Sequence, residues 1–347
     1  MKNRKVSHSS AAGFAAWNII FVTLVFLGVV SCGSDHRTEE EKANGRKAAS
    51  LARIPDFNPD SAYDYISRQV GFGPRVPNTE AHKQCVAYLT NMLRQFADTA
   101  FTQPFKARAF NGTILNGHNI IGSFNPNRPR RVLLCAHWDS RPFADYDPDP
   151  AKHYTAIDGA NDGASGVGVL LEIARHLKAS KPQVGVDIIF FDAEDYGEPH
   201  NNQGQGMEDT WGLGSQHWAS NPHVPNYSAL YGILLDMVGA KEARFYFESF
   251  SMMYAGRTLK KVWDAAHELG FKKYFLYEEG GYITDDHYYI NKIIGIPAID
   301  IIHLDRGSSN GSFFEEWHTT RDNMDVIDRE TLEAVGQTLM KVIYSEK

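Results

Sequence analysis

Three short apolar runs in this chain end on acids or histidine, and a fourth segment delivers acids just ahead of a helix. Residues 131–136 (RVLLCA) lead into His137 and Asp139. Residues 186–191 (VDIIFF) lead into Asp192, Glu194 and Asp195. Residues 229–235 lead into Asp236, and the loop before a predicted helix at 166–177 holds Asp158 and Asp162. Runs this short and this apolar read as strands buried on both faces, as in a parallel sheet. Ligands of such sheets bind beyond the carboxyl ends of the strands. A single acid after a strand is commonly a turn or cap residue. Four segments that bring acids and histidine to one sheet edge indicate a site.

A further strand is predicted at 297–302. Helices are predicted at 78–97, which opens with Asn-Thr-Glu and spaces Tyr88, Leu89, Met92, Leu93 and Phe96 at helical intervals, and at 330–344. Strands alternating with helices give an α/β class: a mixed, mainly parallel central sheet with helices on both faces.

At the N-terminus Lys2, Arg4 and Lys5 precede an apolar run from Phe14 to Val30, closed by Ser31 and Cys32. A basic head, an apolar middle and a small residue read as a secretory signal. The run is close to the minimum transmembrane span of about 17 residues, so a retained anchor is the alternative. Val29-Val30-Ser31-Cys32 resembles the bacterial lipobox, which implies a lipidated Cys32. The expected organisation is a signal peptide at 1–31, lipidated cysteine and tether at 32–54, and one catalytic domain at 55–347. At about 290 residues that domain is near the upper limit for a single core. The protein is then exported and lipid-anchored to a bacterial membrane, on the periplasmic or cell-surface side. Of the remaining cysteines, Cys85 and Cys135 could pair if the fold brought them together. Cys135 sits in a strand-like run, which also suits a buried free thiol. A net charge of −7 leaves no basic footprint for nucleic acid.

Zinc is held by histidine nitrogen and carboxylate oxygen, and a catalytic zinc keeps one position open. The candidate ligands are Asp162, Asp195, His318, His137 and Asp236. Glu194 and Asp195 are adjacent, so one can bind metal while the other carries a proton. His82, His176 and His267 lie in helical stretches and read as packing or surface residues. His303 follows a strand near the site and could line it. Asp145, Asp147 and Asp149 are interrupted by Pro148 and Pro150 and lack the EF-hand glutamate, so they read as an active-site loop.

The set His137-x-Asp139, Asp162-Gly-Ala-Ser-Gly, Glu194-Asp195, Asp236 and His318 resembles the zinc aminopeptidase superfamily, whose members bind two zinc ions bridged by the acid at the Asp162 position. Within it, the chain from Gly73-Pro74-Arg75 onward resembles the glutaminyl cyclases. The resemblance rests on Glu316-Trp317-His318-Thr319, on Phe313 four residues before Trp317, on Asp285-Asp286-His287, and on Trp211-Gly-Leu-Gly-Ser215. It implies cyclisation of an N-terminal glutamine of peptides or proteins to pyroglutamate, with release of ammonia.

The same resemblance implies one Zn2+ on Asp162, Asp195 and His318, with Glu194 as proton carrier. Asp236 and Asp285 would hold the leaving nitrogen and share a hydrogen bond with Glu194. Trp317 and Phe313 would enclose the substrate side chain. Asp139 would orient His137. If the chain is instead a two-zinc aminopeptidase, His137 and Asp236 become ligands of a second ion. A non-catalytic binding domain is a third possibility, but such a domain should have lost acids that are present here. Two departures stand out. Asp195 replaces the glutamate of animal cyclases, and their tryptophan just past the double acid is absent. His200 stands near that position, so Tyr196 or Trp211 would have to supply the wall.

Overall fold

The structure, a computed structural model, describes residues 54–200 and 209–347. The expected signal peptide, Cys32 and the tether as far as Arg53 lie outside the described residues, as does the loop 201–208.

Eight strands are present among the described residues: β1 (Thr99–Arg108), β2 (Ile114–Phe124), β3 (Arg131–His137), β4 (Gly185–Phe191), β5 (Tyr231–Asp236), β6 (Phe245–Glu248), β7 (Phe275–Gly281) and β8 (Ala298–Ile302). Six form one sheet in the order β1-β2-β4-β3-β5-β8, and β6 pairs with β7 separately. Strands β4, β3, β5 and β8 run parallel, while β1 and β2 form an antiparallel hairpin at one edge. The register aligns His137 with Phe191 and Asp236 with Ile302, so the parallel strands end level with one another. The helices are α1 (Pro59–Val70), α2 (Glu80–Phe96), α3 (Ala164–Ala179), α4 (Leu213–Ser220), α5 (Ser249–Glu268), α6 (Asp286–Tyr289) and α7 (Arg329–Ser345).

Alternate residues of each central strand enter different cores. Val132, Leu134 and Ala136 join Ile188, Ile233 and Ile299 in a large core with Ile66 of α1, Leu89 of α2, Leu259 of α5 and Leu339 of α7. Leu133 and Cys135 join Ile189, Leu234, Trp218 of α4 and Ile290 in a smaller core. Burial on both faces removes any polar alternation from these strands, which is why they read as continuous apolar runs. Cys85 lies in the first core and Cys135 in the second, so the sheet separates them and both are free thiols.

The hairpin β1–β2 and the helix α5 were not expected from the sequence. Strand β1 is mostly exposed or half-buried and carries Pro104, so it lacks the apolar signature of a strand. Helix α3 lies directly on the strand ends because Gly166 has no side chain. A Cβ there would stand 2.4 Å from the Leu235 carbonyl oxygen.

Glu248 ties the start of α5 to the segment before α6. Its carboxylate accepts the Phe250 and Ser251 amides at 2.8 and 2.5 Å, the Ser251 hydroxyl at 2.7 Å and the Ile283 amide at 3.1 Å. Its Oε2 also lies 2.9 Å from His287 Nε2. Burial alone would raise its pKa, but the His287 imidazole and the Ser251 donors outweigh it and hold the carboxyl down at about 2. An unfolded glutamate titrates at about 4.3. The folded pKa is depressed, so this contribution to stability is complete above the unfolded value and disappears as the pH falls towards 2. Urea unfolding between pH 6 and pH 2.5 should show a stability loss that is smaller in Glu248→Gln. Equal slopes for the two proteins would show that Glu248 plays no such part.

Candidate active site

Four of the segments that carry site residues turn through the left-handed region of backbone space. Ala193, between β4 and Glu194, has φ 53°; Met237, after Asp236, has φ 51°; His318 itself has φ 54°; and Gly163, after Asp162, has φ 101°. Non-glycine residues are uncommon in that region and are retained where surrounding structure enforces them, often at functional sites. Gly163 cannot carry a side chain, since a Cβ would lie 2.5 Å from the Asp139 carbonyl.

These turns bring two histidines to one buried aspartate. His137 Nε2 lies 3.1 Å from Asp162 Oδ1 and 3.2 Å from Asp236 Oδ1. His318 Nε2 lies 3.6 Å from Asp162 Oδ2 and 3.3 Å from Asp195 Oδ1. Asp162 therefore offers one oxygen to each group. Both rings turn their Nδ1 towards a second acid: His137 to Asp139 at 3.5 Å, His318 to Asp145 at 3.2 Å. An acid behind the outer ring nitrogen is the usual arrangement around metal-binding histidines. Two triads, His137–Asp162–Asp236 and Asp162–Asp195–His318, each have ligand atoms close enough to hold one ion. The donor chemistry fits a divalent cation, because three buried carboxylates converge with only imidazole nitrogen between them. Asp195 Oδ2 is buried without a hydrogen-bond partner.

A layer of buried groups holds these side chains from behind. Asp139 accepts the backbone amides of both Glu194 and Asp195 at 3.1 Å, in addition to facing His137 as expected. Asp322 accepts the amides of Asn161 and Asp162 at 2.8 and 3.0 Å; burial, with the charge of Asp162, raises its pKa to about 8. Arg141 is fully buried and forks onto Asp145 at 2.7 and 2.9 Å, donates to the Asp195 carbonyl at 3.0 Å and lies over the Trp211 ring. Asp145 belongs to the loop expected at the site, whereas Arg141 escaped sequence reasoning, since a lone arginine after a strand has no distinguishing spacing. His82 is buried and its Nε2 meets both oxygens of Asp192 at 3.1 and 2.8 Å. Asp192 also accepts the His118 and Ala193 amides at 2.6 and 2.7 Å, which fixes the turn leading to Glu194.

A cavity of ≈ 260 Å³ opens over these groups. Asp162, Glu194, Asp195, Asp236, Asp285 and His318 line it, with Trp211, Phe313 and Trp317 as aromatic walls. His137 and Asp139 are buried and do not line it. Trp317 stacks on His318 with ring centres 3.6 Å apart, and Phe313 contacts Trp317 at 4.5 Å. Of the aromatic residues suggested for the missing wall, Trp211 fills it, its ring parallel to His318 within 10°. Tyr196 packs instead against Phe110 and Phe143, and His200 against Tyr146. His303 lines a different cavity with Arg244 and Glu316.

Burial drives the Glu194 carboxyl well above its ordinary range; Asp285, Asp195 and Asp286 add to the rise and His137 opposes it. Burial likewise raises Asp236 to about 7, against the His137 hydrogen bond. The shared hydrogen bond expected of Asp285 is not seen: its Oδ1 accepts the Asp286 amide, and its Oδ2 is buried without a donor.

His82→Leu should cost about 2 kcal/mol of stability, because buried Asp192 loses its side-chain donor. His82→Gln, whose amide can donate in its place, should recover part of that loss in urea unfolding. Equal losses in the two variants would show that packing, not the hydrogen bond, is what His82 supplies.

Residues 119–343 match Peptidase family M28. The chain is 56% identical to a Zn-dependent exopeptidase of Parabacteroides distasonis of known structure, covering 84% of this chain and all of that one, with a TM-score of 0.83. It is 56% identical to Tannerella forsythia glutaminyl cyclase over the same shares, with a TM-score of 0.82. It is 30% identical over 275 residues to bovine glutaminyl-peptide cyclotransferase, covering 70% of this chain and 68% of the relative. The match across most of the folded chain, together with the paired His–Asp groups at the strand ends, makes this protein a member of peptidase family M28.

Proposed function

We propose that this protein is a zinc-dependent glutaminyl-peptide cyclotransferase. The observation that carries this reading is the pocket itself: three acids, Glu194, Asp236 and Asp285, line a cavity of ≈ 260 Å³ together with Trp211, Phe313 and Trp317. The Tannerella and bovine relatives are glutaminyl cyclases. The expected substrates are peptides and proteins beginning with glutamine.

One zinc ion is proposed on Asp162, Asp195 and His318. Asp195 Oδ2 is an acceptor that no protein donor satisfies. His137 and Asp236 are assigned beside the metal on the likeness to glutaminyl cyclases, since His137 Nε2 meets Asp162 and Asp236 much as His318 Nε2 meets Asp162 and Asp195. Zinc held there would polarise the amide carbonyl as a Lewis acid. The reaction forms a bond between the α-nitrogen of glutamine and its own side-chain carbonyl carbon, and breaks the bond from that carbon to the amide nitrogen. A carboxylate at Glu194, held by the Asp139 clamp on its backbone, takes a proton from the α-amine and delivers it to the departing ammonia. Asp236 and Asp285 border the space where that nitrogen leaves. Trp317, Phe313 and Trp211 exclude water, which would otherwise compete as nucleophile.

A second reading, a two-metal aminopeptidase, is favoured by the triad His137–Asp162–Asp236. We further propose the exported organisation read from the sequence: signal peptide 1–31, lipidated Cys32 with a tether to residue 54, and a catalytic domain at 55–347. It rests on the N-terminal residues alone. Cys32→Ser should shift the protein from the membrane to the soluble fraction of the native host. Unchanged fractionation would refute lipid anchoring.

Offered Gln-Ala and Leu-Ala peptides, the zinc-loaded protein should release ammonia from the first and no free leucine from the second. Two bound zinc ions with leucine release and no ammonia would establish the aminopeptidase instead. Glu194→Gln should retain zinc and lower turnover by about 10²-fold or more. Zinc loss in that variant would mean that Glu194 and Asp195 have exchanged roles.

A further inference from the structure

The cyclotransferase reading places one residue, the N-terminal glutamine, in the pocket, so the rest of a peptide must leave it. Among the side chains lining the pocket, Tyr282 and Thr284 are the exposed ones; the others are buried or half-buried. The mouth therefore lies on their side. Tyr282 is 64% exposed and its ring meets that of Phe250 at 4.8 Å, edge to face. Phe250 in turn meets Tyr288 at 4.6 Å and stacks with Tyr254 at 6.4 Å. Met253 and Tyr254 stand three and four residues after Phe250 on α5, on the same helix face. Met253 is 60% exposed and Tyr254 42%. A continuous apolar surface thus runs outward from the pocket rim. Contiguous exposed apolar patches, when large, mark interaction sites, and aromatic rings offer large flat faces to an incoming side chain.

We propose that this ledge, Tyr282–Phe250–Tyr254 with Tyr288 and Met253, binds the apolar side chains that follow the first residue of the substrate peptide; this rests on the cyclotransferase reading. An extended peptide advances roughly 3.3 Å per residue. A chain leaving the pocket at Tyr282 reaches Phe250 within about two residues and Tyr254 within about four. The third to fifth residues of the substrate are therefore the ones selected. Glu248 fixes the ledge relative to the pocket, since it bonds both the start of α5 and the Ile283 amide beside Tyr282.

The test compares Gln-Ala-Phe-Ala-amide with Gln-Ala-Ser-Ala-amide on the zinc-loaded full-length protein, with ammonia as readout. The phenylalanine peptide should show a kcat/KM higher by about tenfold, as covering some 50 Å² of apolar surface would give, and the difference should lie in KM. In Phe250→Ala the ratio of the two peptides should fall to about two or less. Tyr254→Ser, a change at an exposed side chain, should lower it as well. Equal rates for the two peptides with wild-type protein would overturn the proposal, as would a ratio unchanged in both variants. Absence of ammonia from both peptides would instead remove the cyclotransferase reading, and the ledge with it.

Discussion

Asp162 presents one oxygen to His137 and the other to His318, and the rest of the active edge is arranged around that division. Three carboxylates at this point repel one another and are cut off from water, a placement that costs several kcal/mol per ion unless charge of the opposite sign is supplied. The protein supplies part of it through Arg141, which joins Asp145 and the Asp195 backbone. The two imidazoles supply more, and a cation would supply the remainder. The acids at the edge therefore make a binding site for metal and a poor site for anything apolar and uncharged.

Holding such a cluster requires rigid supports, and here they are backbone amides. Asp139 clamps the amides of Glu194 and Asp195, Asp322 those of Asn161 and Asp162, and Asp192 those of His118 and Ala193. Each clamp is a buried carboxylate that accepts from a turn with a left-handed residue beside or within it, and Asp192 ties its turn to β2 through the His118 amide as well. Strain in the turn and solvation of the buried acid are thus resolved by the same hydrogen bonds. Glu248 does the corresponding work on the pocket's outer side, where it joins α5, Ile283 and His287.

Much of this was legible in the chain. The central strands are buried on both faces, so their apolar runs stand out, and the polar residues after them mark the ligand edge. Helix α2 carried clear periodicity and a capping residue, Thr79, whereas α3 was legible only as an apolar helical stretch, being buried almost all round. Strand β1 was not legible because its side chains are largely exposed and polar. Helix α5 was missed because its first turns, around Phe250, Met253 and Tyr254, place apolar side chains outward and blur the amphipathic pattern. His82 was opaque for another reason: its partner Asp192 lies 110 residues away; Arg141 pairs with Asp145 four residues on, but its link to Asp195 crosses 54 residues.

By itself the sequence determined the fold class, the edge of the sheet that carries chemistry, and the residue types gathered there, because burial and strand-end position leave local marks. Only the tertiary structure decided that Asp162 stands between two histidines, that Trp211 and not Tyr196 or His200 closes the pocket, and that Cys85 and Cys135 lie on opposite sides of the sheet. Those facts depend on directions in space set by strand register, left-handed turns and packing between distant segments, and spacing along a chain does not encode direction.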